Sequence, residues 1–381
     1  MKIIKLDSNT DRDLILEKIG STEDGMKIMR DKMHSHIFYL KDIKTPAANI
    51  LKQDALSIGA DLAVEKNTIL YKDETIDALL MVTDKQLKIL SRKELAQPFG
   101  LKAFAKELQK YSNLKEYKTQ IMGVLNANDD SFYKSSRFEG KSAVLRVEQM
   151  IEEGADIIDI GAVSSRPGSD IVDDKEELRR ISPIIDAIYK QKLYEKAVFS
   201  LDSYQPLVLE YALERGFKIV NDITGLENDE VAKIVAKYDA KVVIMHMRGR
   251  PQDMQKNPHY ENLLLDVEAF FEKRVQKAHD FGINDIVLDV GIGFGKTLEH
   301  NLQLIKHLSH FQKFALPLLV GASRKSMIDA ISPSSADERL AGTLALHLKA
   351  LDEGASIIRC HDVKEHKQAF DVSDALRGTL L

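Results

Sequence analysis

The spacing of apolar and polar residues changes along this chain and divides it in two. From Thr119 onward, short apolar runs alternate with stretches whose apolar residues fall three and four apart. The runs are Ile121-Met122-Gly123-Val124-Leu125, Ile157-Ile158-Asp159-Ile160, Val198-Phe199-Ser200-Leu201, Ile219-Val220, Val242-Val243-Ile244-Met245, Ile286-Val287-Leu288, Leu318-Leu319-Val320 and Ile357-Ile358. Between the first two, Val144, Val147, Met150 and Ile151 form an apolar helical face, with Lys141, Arg146, Glu148 and Glu152 on the polar side. Strand and helix in alternation predict βα units and a parallel sheet, either open and doubly wound or closed. Eight units in about 260 residues match the (β/α)8 TIM barrel, typically ~250 residues long, and the barrel is the expected fold.

The first 115 residues follow a different plan. Ile3-Ile4, His36 to Leu40, Leu62 to Val64, Thr68 to Tyr71 and Ala78 to Val82 predict strands. Asp11 to Ile19, Ala47 to Ile58 and Phe99 to Tyr111 predict helices, the second opened by Thr45 as cap and Pro46 at its first position. A small α/β accessory domain over 1–115 is expected, then a polar linker from Tyr111 to Lys118 and a barrel domain over 116–381. His34 and His36 flank Ser35 at strand spacing. With no further ligand at metal-binding spacing in the sequence, they are read as structural or surface residues. Nothing in this third of the chain names a function.

The bulk numbers exclude several classes. In 381 residues, 44% are hydrophobic and 30% charged, which is ordinary for a globular protein. A net charge of −5 argues against a general nucleic-acid binder. The longest apolar runs are strand-sized, so no membrane span is expected, and the first residues lack a signal-peptide plan. The single cysteine, Cys360, excludes an internal disulfide, and a cytoplasmic location is the simplest expectation.

Candidate chemistry collects where the predicted strands end: Asn126, Ser164-Ser165-Arg166, Asp202, Asn221-Asp222, His246, Asp289, Ser323-Arg324-Lys325 and Arg359-His361-Asp362. Asp, Asn or Ser at one such place would be read as a helix cap. Eight sets in succession, with Arg and Lys among them, point instead to a pocket at the strand tips for a small polar ligand. Asp202, Asp289 and Asn221 suit a flat heterocycle bearing several N–H donors, whereas Arg166, Lys325, Arg359 and His361 suit an anion.

Two motif readings of Gly291-Ile292-Gly293-Phe294-Gly295-Lys296-Thr297 fail. A nucleotide P-loop would need its first glycine where Val290 stands, and a dinucleotide loop its third where Lys296 stands. His246, without a second ligand at suitable spacing, is read as structural. Cys360 alternates with Arg359 and His361, so it should face the helices and be inert.

Taken in order, several motifs resemble those of dihydropteroate synthases: Met122 to Asn126, Asp130-Ser131-Phe132, Ser164 to Gly168, Ser200 to Asp202, Asn221 to Ile223, Met245-His246-Met247, Gly293 to Lys296, Ser323 to Ser326 and Arg359 to Val363. The resemblance covers roughly 118–381. It implies condensation of 6-hydroxymethyl-7,8-dihydropterin diphosphate with 4-aminobenzoate to 7,8-dihydropteroate and pyrophosphate. It further implies a pterin pocket of Asp202, Asn221, Asp289 and Lys325, and a diphosphate site of Asn126, Arg359 and His361. Mg²⁺ would be held partly by Asn126, aminobenzoate would lie beside Ser165, Arg166, Pro167, Phe294, Lys325 and Ser323, and a homodimer is implied. Asp202, Lys325, Arg359 and His361 would be the catalytic set. The first loop departs from the family pattern, since Ala127-Asn128-Asp129 follows Asn126 and Tyr133-Lys134-Ser135-Ser136 follows Phe132; separately, Val290 replaces a proline after Asp289. Those departures leave open a pterin-binding barrel without the activity, its amino-terminal domain regulatory or partner-binding. A folate-to-corrinoid methyltransferase of the same superfamily is disfavoured by the cationic sets around Lys325 and Arg359.

Overall fold

The computed structural model of the protein describes residues 2–7, 10–112, 114–127, 139–162, 172–249 and 253–380. It divides into two compact units: residues 1–115 with 313–315 and 373–381, and residues 116–312 with 316–372.

In the first unit, strands β1 (Ser35–Lys44), β2 (Asp61–Val64) and β3 (Thr75–Thr83) form an antiparallel sheet with β3 in the centre. Alternate residues of β3, Ile76, Ala78, Leu80 and Val82, turn to one face and are buried. Onto that face pack Ala47, Leu51 and Ala55 of helix Thr45–Ser57, Leu87 and Leu90 of helix Asp84–Lys93, and Leu101 and Leu108 of helix Leu101–Lys110. Three sequence expectations need correcting. Ile3 and Ile4 are exposed and outside any strand. Thr68–Leu70, expected to be extended, is a single 3-10 turn closed by Tyr71 in the left-handed region; its β-branched residues favour a strand only where a partner is available. Thr45 is already inside its helix, and its hydroxyl donates to the Asp73 carbonyl instead of capping. The helix Asp84–Lys93 was not anticipated; a capping box between Thr83 and Gln86 starts it directly from the end of β3.

The second unit is a closed parallel barrel of eight strands: β4 (Gln120–Asn126), β5 (Ile157–Gly161), β6 (Val198–Asp202), β7 (Ile219–Asp222), β8 (Lys241–Met245), β9 (Ile286–Asp289), β10 (Leu318–Val320) and β11 (Ile357–Cys360). They pair in chain order, and β11 closes onto β4. Each expected apolar run is one of these strands. Helices between them supply the outer layer, as in the stretch Glu139–Glu152 that buries Val144, Val147 and Met150. Inside the barrel, Met122, Ile157, Ile219, Val243, Val287, Leu319 and Ile357 form one apolar cluster. Because side chains alternate across a strand, residues two further on point the same way. Those residues are Val124, Asp159, Asn221, Met245, Asp289, Gly321 and Arg359, and β6 contributes Asp202 at its own end. Asp159, Asn221, Asp289 and Arg359, with Asp202, therefore form a polar cluster above an apolar floor at the carboxyl ends of the strands, and Val124, Met245 and Gly321 complete the ring. Among the described residues, no helix is long and apolar enough to cross a membrane.

Candidate active site

The centre of the polar cluster is an arginine between two carboxylates. Arg359 Nε donates to Asp159 Oδ2 at 2.7 Å, and its Nη2 donates to Asp202 Oδ2 at 2.8 Å. Asn221 Nδ2 donates to the same Asp159 oxygen at 3.1 Å. β5, β6, β7 and β11 thus contribute one residue each to a single network. Burial works against the charged guanidinium, but Asp159 and Asp202 outweigh it and raise its pKa. Burial pushes Asp202 up to about 7 against the pull of Arg359, and the nearby Asp159 adds repulsion. Asp159 is fully buried, and its Oδ1 has no hydrogen-bond partner among the described residues. A buried carboxylate oxygen left open costs free energy unless a ligand donor meets it.

Asp159 does not stand out in the sequence, because it sits within the apolar run Ile157 to Ile160 rather than at its end. The available signal was its period: it lies two residues after Ile157, on the inner face, where an acid must be paired.

On the far side of the mouth, Asp289 ends β9 and is held by the Gly291 N–H at 2.7 Å. Burial raises its pKa, and that hydrogen bond opposes the rise. The following loop is pressed against its neighbour. Gly291 has φ +66°, and a Cβ there would lie 2.0 Å from the His246 carbonyl oxygen; at Gly295, φ +63°, a Cβ would lie 2.2 Å from the Arg248 carbonyl oxygen. Only glycine fits either place. Lys296 fastens the loop from within, its Nζ donating to His246 Nδ1 at 3.0 Å and to the carbonyls of His246 and Phe294 at 3.2 and 3.0 Å. Burial lowers the Lys296 pKa to about 7 and, with Lys296 beside it, that of His246 to about 2. His246 is therefore a neutral structural acceptor, as its isolation in the sequence suggested.

Lys325 reaches back from the loop after β10. Its Nζ donates to the Ile292 carbonyl and lies 4.6 Å from the centre of the Phe294 ring. Burial lowers its pKa to about 8, with Asp289 opposing. Ser323 Oγ and His361 Nδ1 are 2.9 Å apart, joining the ends of β10 and β11. Asn126 is partly exposed at the end of β4, in the strand beside Arg359. Ser165, Arg166 and Pro167, and the first loop beyond Ala127, lie outside the described residues.

Three other strand-end residues turn out to be scaffold. Asp222 accepts from the Thr224 N–H, the Thr224 hydroxyl and the Leu226 N–H, at 2.7, 2.6 and 2.9 Å, and so shapes its own turn. Arg324 grips Asp362 with two bonds of 3.0 and 2.6 Å and Asp337 with a third of 3.0 Å. Cys360 is buried, and burial raises its thiol pKa, which keeps it unreactive. Behind these loops runs a chain of buried imidazoles. The Ala322 N–H donates to His347 Nε2 at 3.0 Å; His347 Nδ1 then donates to His366 Nε2 at 2.7 Å, and His366 Nδ1 to the Asp362 carbonyl at 2.6 Å. A backbone N–H can only donate, so it fixes both tautomers.

Residues 122–361 match the family model described as pterin binding enzyme. A bifunctional dihydropteroate synthase/dihydropteroate reductase of Helicobacter pylori is 44% identical over 369 residues, 96% of each chain. The chain belongs to the dihydropteroate synthase family. Within it, the Haemophilus influenzae dihydropteroate synthase is 42% identical over 64% of this chain and 89% of its own length. Among solved structures, the Yersinia pestis dihydropteroate synthase with a sulfonamide drug complex superposes with a TM-score of 0.64 at 37% identity, over 69% of this chain and 95% of that one. The Thermus thermophilus dihydropteroate synthase in complex with 4-aminobenzoate gives 0.61 at 36%, over 68% and 95%. The family model thus covers the barrel, and the match to the Helicobacter relative extends through both units.

Proposed function

We propose that the chain joins 4-aminobenzoate to 6-hydroxymethyl-7,8-dihydropterin diphosphate, giving 7,8-dihydropteroate and pyrophosphate. The observation that carries this reading is the inner layer itself, where Asp159, Asp202, Asn221 and Asp289 face one mouth with Arg359 and Lys325. Its acceptors match the N–H edge of a pterin, and its cations match a departing diphosphate. In the reaction the C–O bond at the pterin CH₂ breaks and its electron pair leaves with the diphosphate, toward Arg359 and His361. Asp202, ionised beside the ring, stabilises the cation left on the dihydropterin. The amine of aminobenzoate, placed by Phe294, Ser323 and Lys325 together with Ser165, Arg166 and Pro167, bonds to the CH₂ and loses a proton. Lys325 and Asp289 hold the ring.

Mg²⁺ fits this site. The partly exposed amide of Asn126, at the end of β4, would offer Mg²⁺ one oxygen at the mouth, with substrate phosphates and water supplying the rest of its all-oxygen shell. When bound it would neutralise charge on the diphosphate. A cytoplasmic homodimer completes the reading; light scattering of the purified chain tests the dimer. The reaction is tested by supplying both substrates and measuring pyrophosphate and dihydropteroate together. Stoichiometric formation supports it, and pterin binding without pyrophosphate release favours a binding protein.

The Helicobacter relative supports a second activity, since its likeness extends through the first unit as well as the barrel. Reduction of dihydropteroate would consume a hydride from a reduced nicotinamide nucleotide and one proton to give tetrahydropteroate. Oxidation of the nucleotide that depends on added dihydropteroate is the measurement; its absence leaves the synthase reading untouched.

A further inference from the structure

The first unit gathers three ligand-type side chains that the barrel chemistry does not use. His36 lies near the start of β1 and His34 just before it, where the His34 carbonyl accepts from the Asp84 N–H at 3.2 Å. The antiparallel register pairs Ser35 with Thr83 at the end of β3, which brings the next residue, Asp84, alongside them. Asp84 is then fixed as the first residue of its helix. Both imidazoles point a ring nitrogen at the same carboxylate oxygen: His36 Nε2 lies 2.5 Å and His34 Nδ1 3.2 Å from Asp84 Oδ1. All three ligand atoms lie within 4.8 Å of one another.

Each of the three is held by a partner outside the cluster or by its place in the sheet. Arg12 Nη1 donates to the other carboxylate oxygen, Oδ2, at 3.0 Å, so it fixes the carboxylate while leaving Oδ1 to the imidazoles. The His36 ring stacks on Phe38, with centroids 5.6 Å apart and planes 16° apart, which sets the direction of Nε2. Such outer contacts orient metal ligands. The His34 side chain is 48% exposed and those of His36 and Asp84 are 13% and 21% exposed, so the cluster opens to solvent on one side.

We propose that His34, His36 and Asp84 bind one borderline divalent transition-metal ion, of the class of Zn²⁺ or Co²⁺, in the amino-terminal unit. Two imidazoles and one carboxylate are a ligand set these ions accept, leaving a fourth, solvent-facing position. With metal–ligand bonds of about 2.0–2.2 Å, tetrahedral ligand atoms stand roughly 3.3 Å apart. The His34–Asp84 separation already meets that figure, and the His36–Asp84 separation needs an opening of less than about one ångström. A hard ion such as Mg²⁺ prefers an all-oxygen shell and is the wrong class.

The test uses the full chain stripped of metal and titrated with Co²⁺ in excess Mg²⁺, followed by its visible ligand-field band and by bound metal after gel filtration. One Co²⁺ per chain is expected. His36→Ala and Asp84→Asn should weaken binding at least tenfold, as loss of a first-sphere ligand should cost no less than loss of an outer one. His34→Ala, on an exposed edge, should weaken it similarly without changing the melting temperature of the metal-free protein. Asn126→Ala should bind as wild type, which separates this site from any ion in the barrel. No bound Co²⁺, binding as tight as wild type by the His34→Ala and His36→Ala variants, or loss in Asn126→Ala would each overturn the proposal and leave the three residues as an ion cluster around Asp84.

Discussion

Two buried polar networks lie within the same barrel unit, and they differ in whether they are closed. Behind the loops, Ala322, His347, His366 and Asp362 form a line in which each named donor meets an acceptor. At the mouth, Asp159, Asp202, Asn221 and Arg359 share donors unevenly, and Asp159 Oδ1 has none among the described residues. A closed network of neutral groups stiffens what it joins. An open one, crowded with carboxylates, raises the free energy of the empty protein and lowers it when a ligand brings donors. The first should behave in mutation as scaffold, and the second as site.

The largest expected effect tests the open network. Asp202→Asn removes the charge facing the developing cation, and product formation should fall about 10²–10³-fold while the melting temperature holds. An unchanged turnover number would remove Asp202 from the chemistry. Next comes Asp159→Asn, which keeps the shape but takes away one charge that positions Arg359. A roughly 10–100-fold loss in kcat/KM for the pterin diphosphate is expected, with the smaller effect on thermal stability, because the asparagine oxygen can still accept from Arg359 and Asn221 and Asp202 still pairs with the arginine. If stability fell and kinetics did not, Asp159 would belong with the scaffold.

The closed network should respond the other way. His347→Leu strands the Ala322 N–H and breaks the link to His366, for a loss of about 2–3 kcal/mol in denaturant unfolding. Activity per folded molecule should drop by less than roughly tenfold, well short of Asp202→Asn. A collapse of activity in a folded His347→Leu protein would erase the distinction between the two networks.

The smallest effect is on pH. Asp202 must be ionised, and burial places its pKa at about 7; Lys325 must be protonated, and burial lowers its pKa to about 8. Acidification below the first value neutralises the carboxylate, and alkalinisation above the second discharges the ammonium. A plot of kcat/KM against pH should therefore be a narrow bell between them. Lys325→Arg, which stays charged, should erase the alkaline limb even if the plateau is lower. Persistence of that limb would assign it to another group.

The sequence carried the barrel clearly because each strand is an apolar run and each helix keeps its own period, so two independent signals agree. Asp202, Asn221, Asp289, Lys325 and Arg359 were visible because they fall where those runs end. Asp159 was hidden inside a run, and telling it from a structural residue required knowing which face of β5 turns inward. Asp222 and Arg324 looked equally functional from spacing, yet nearby backbone and carboxylate groups engage them, which spacing cannot reveal. In the first unit, Thr68 to Tyr71 had the composition of a strand but folds as a 3-10 turn ended by Tyr71 in the left-handed region, a local geometry that composition does not encode. The meeting of Asp84 with His34 and His36 depends on a strand register that no local pattern encodes.

Alternation inside the barrel also restricts where this protein can change length. One residue inserted within β5 would rotate Asp159 out among the helices and swing Ile160 into the mouth, exchanging an acid for a hydrocarbon in a single step. Deletions within β7, β9 or β11 would do the same to Asn221, Asp289 or Arg359. Length changes that leave the mouth intact are thus those made in the connections beyond the strand tips.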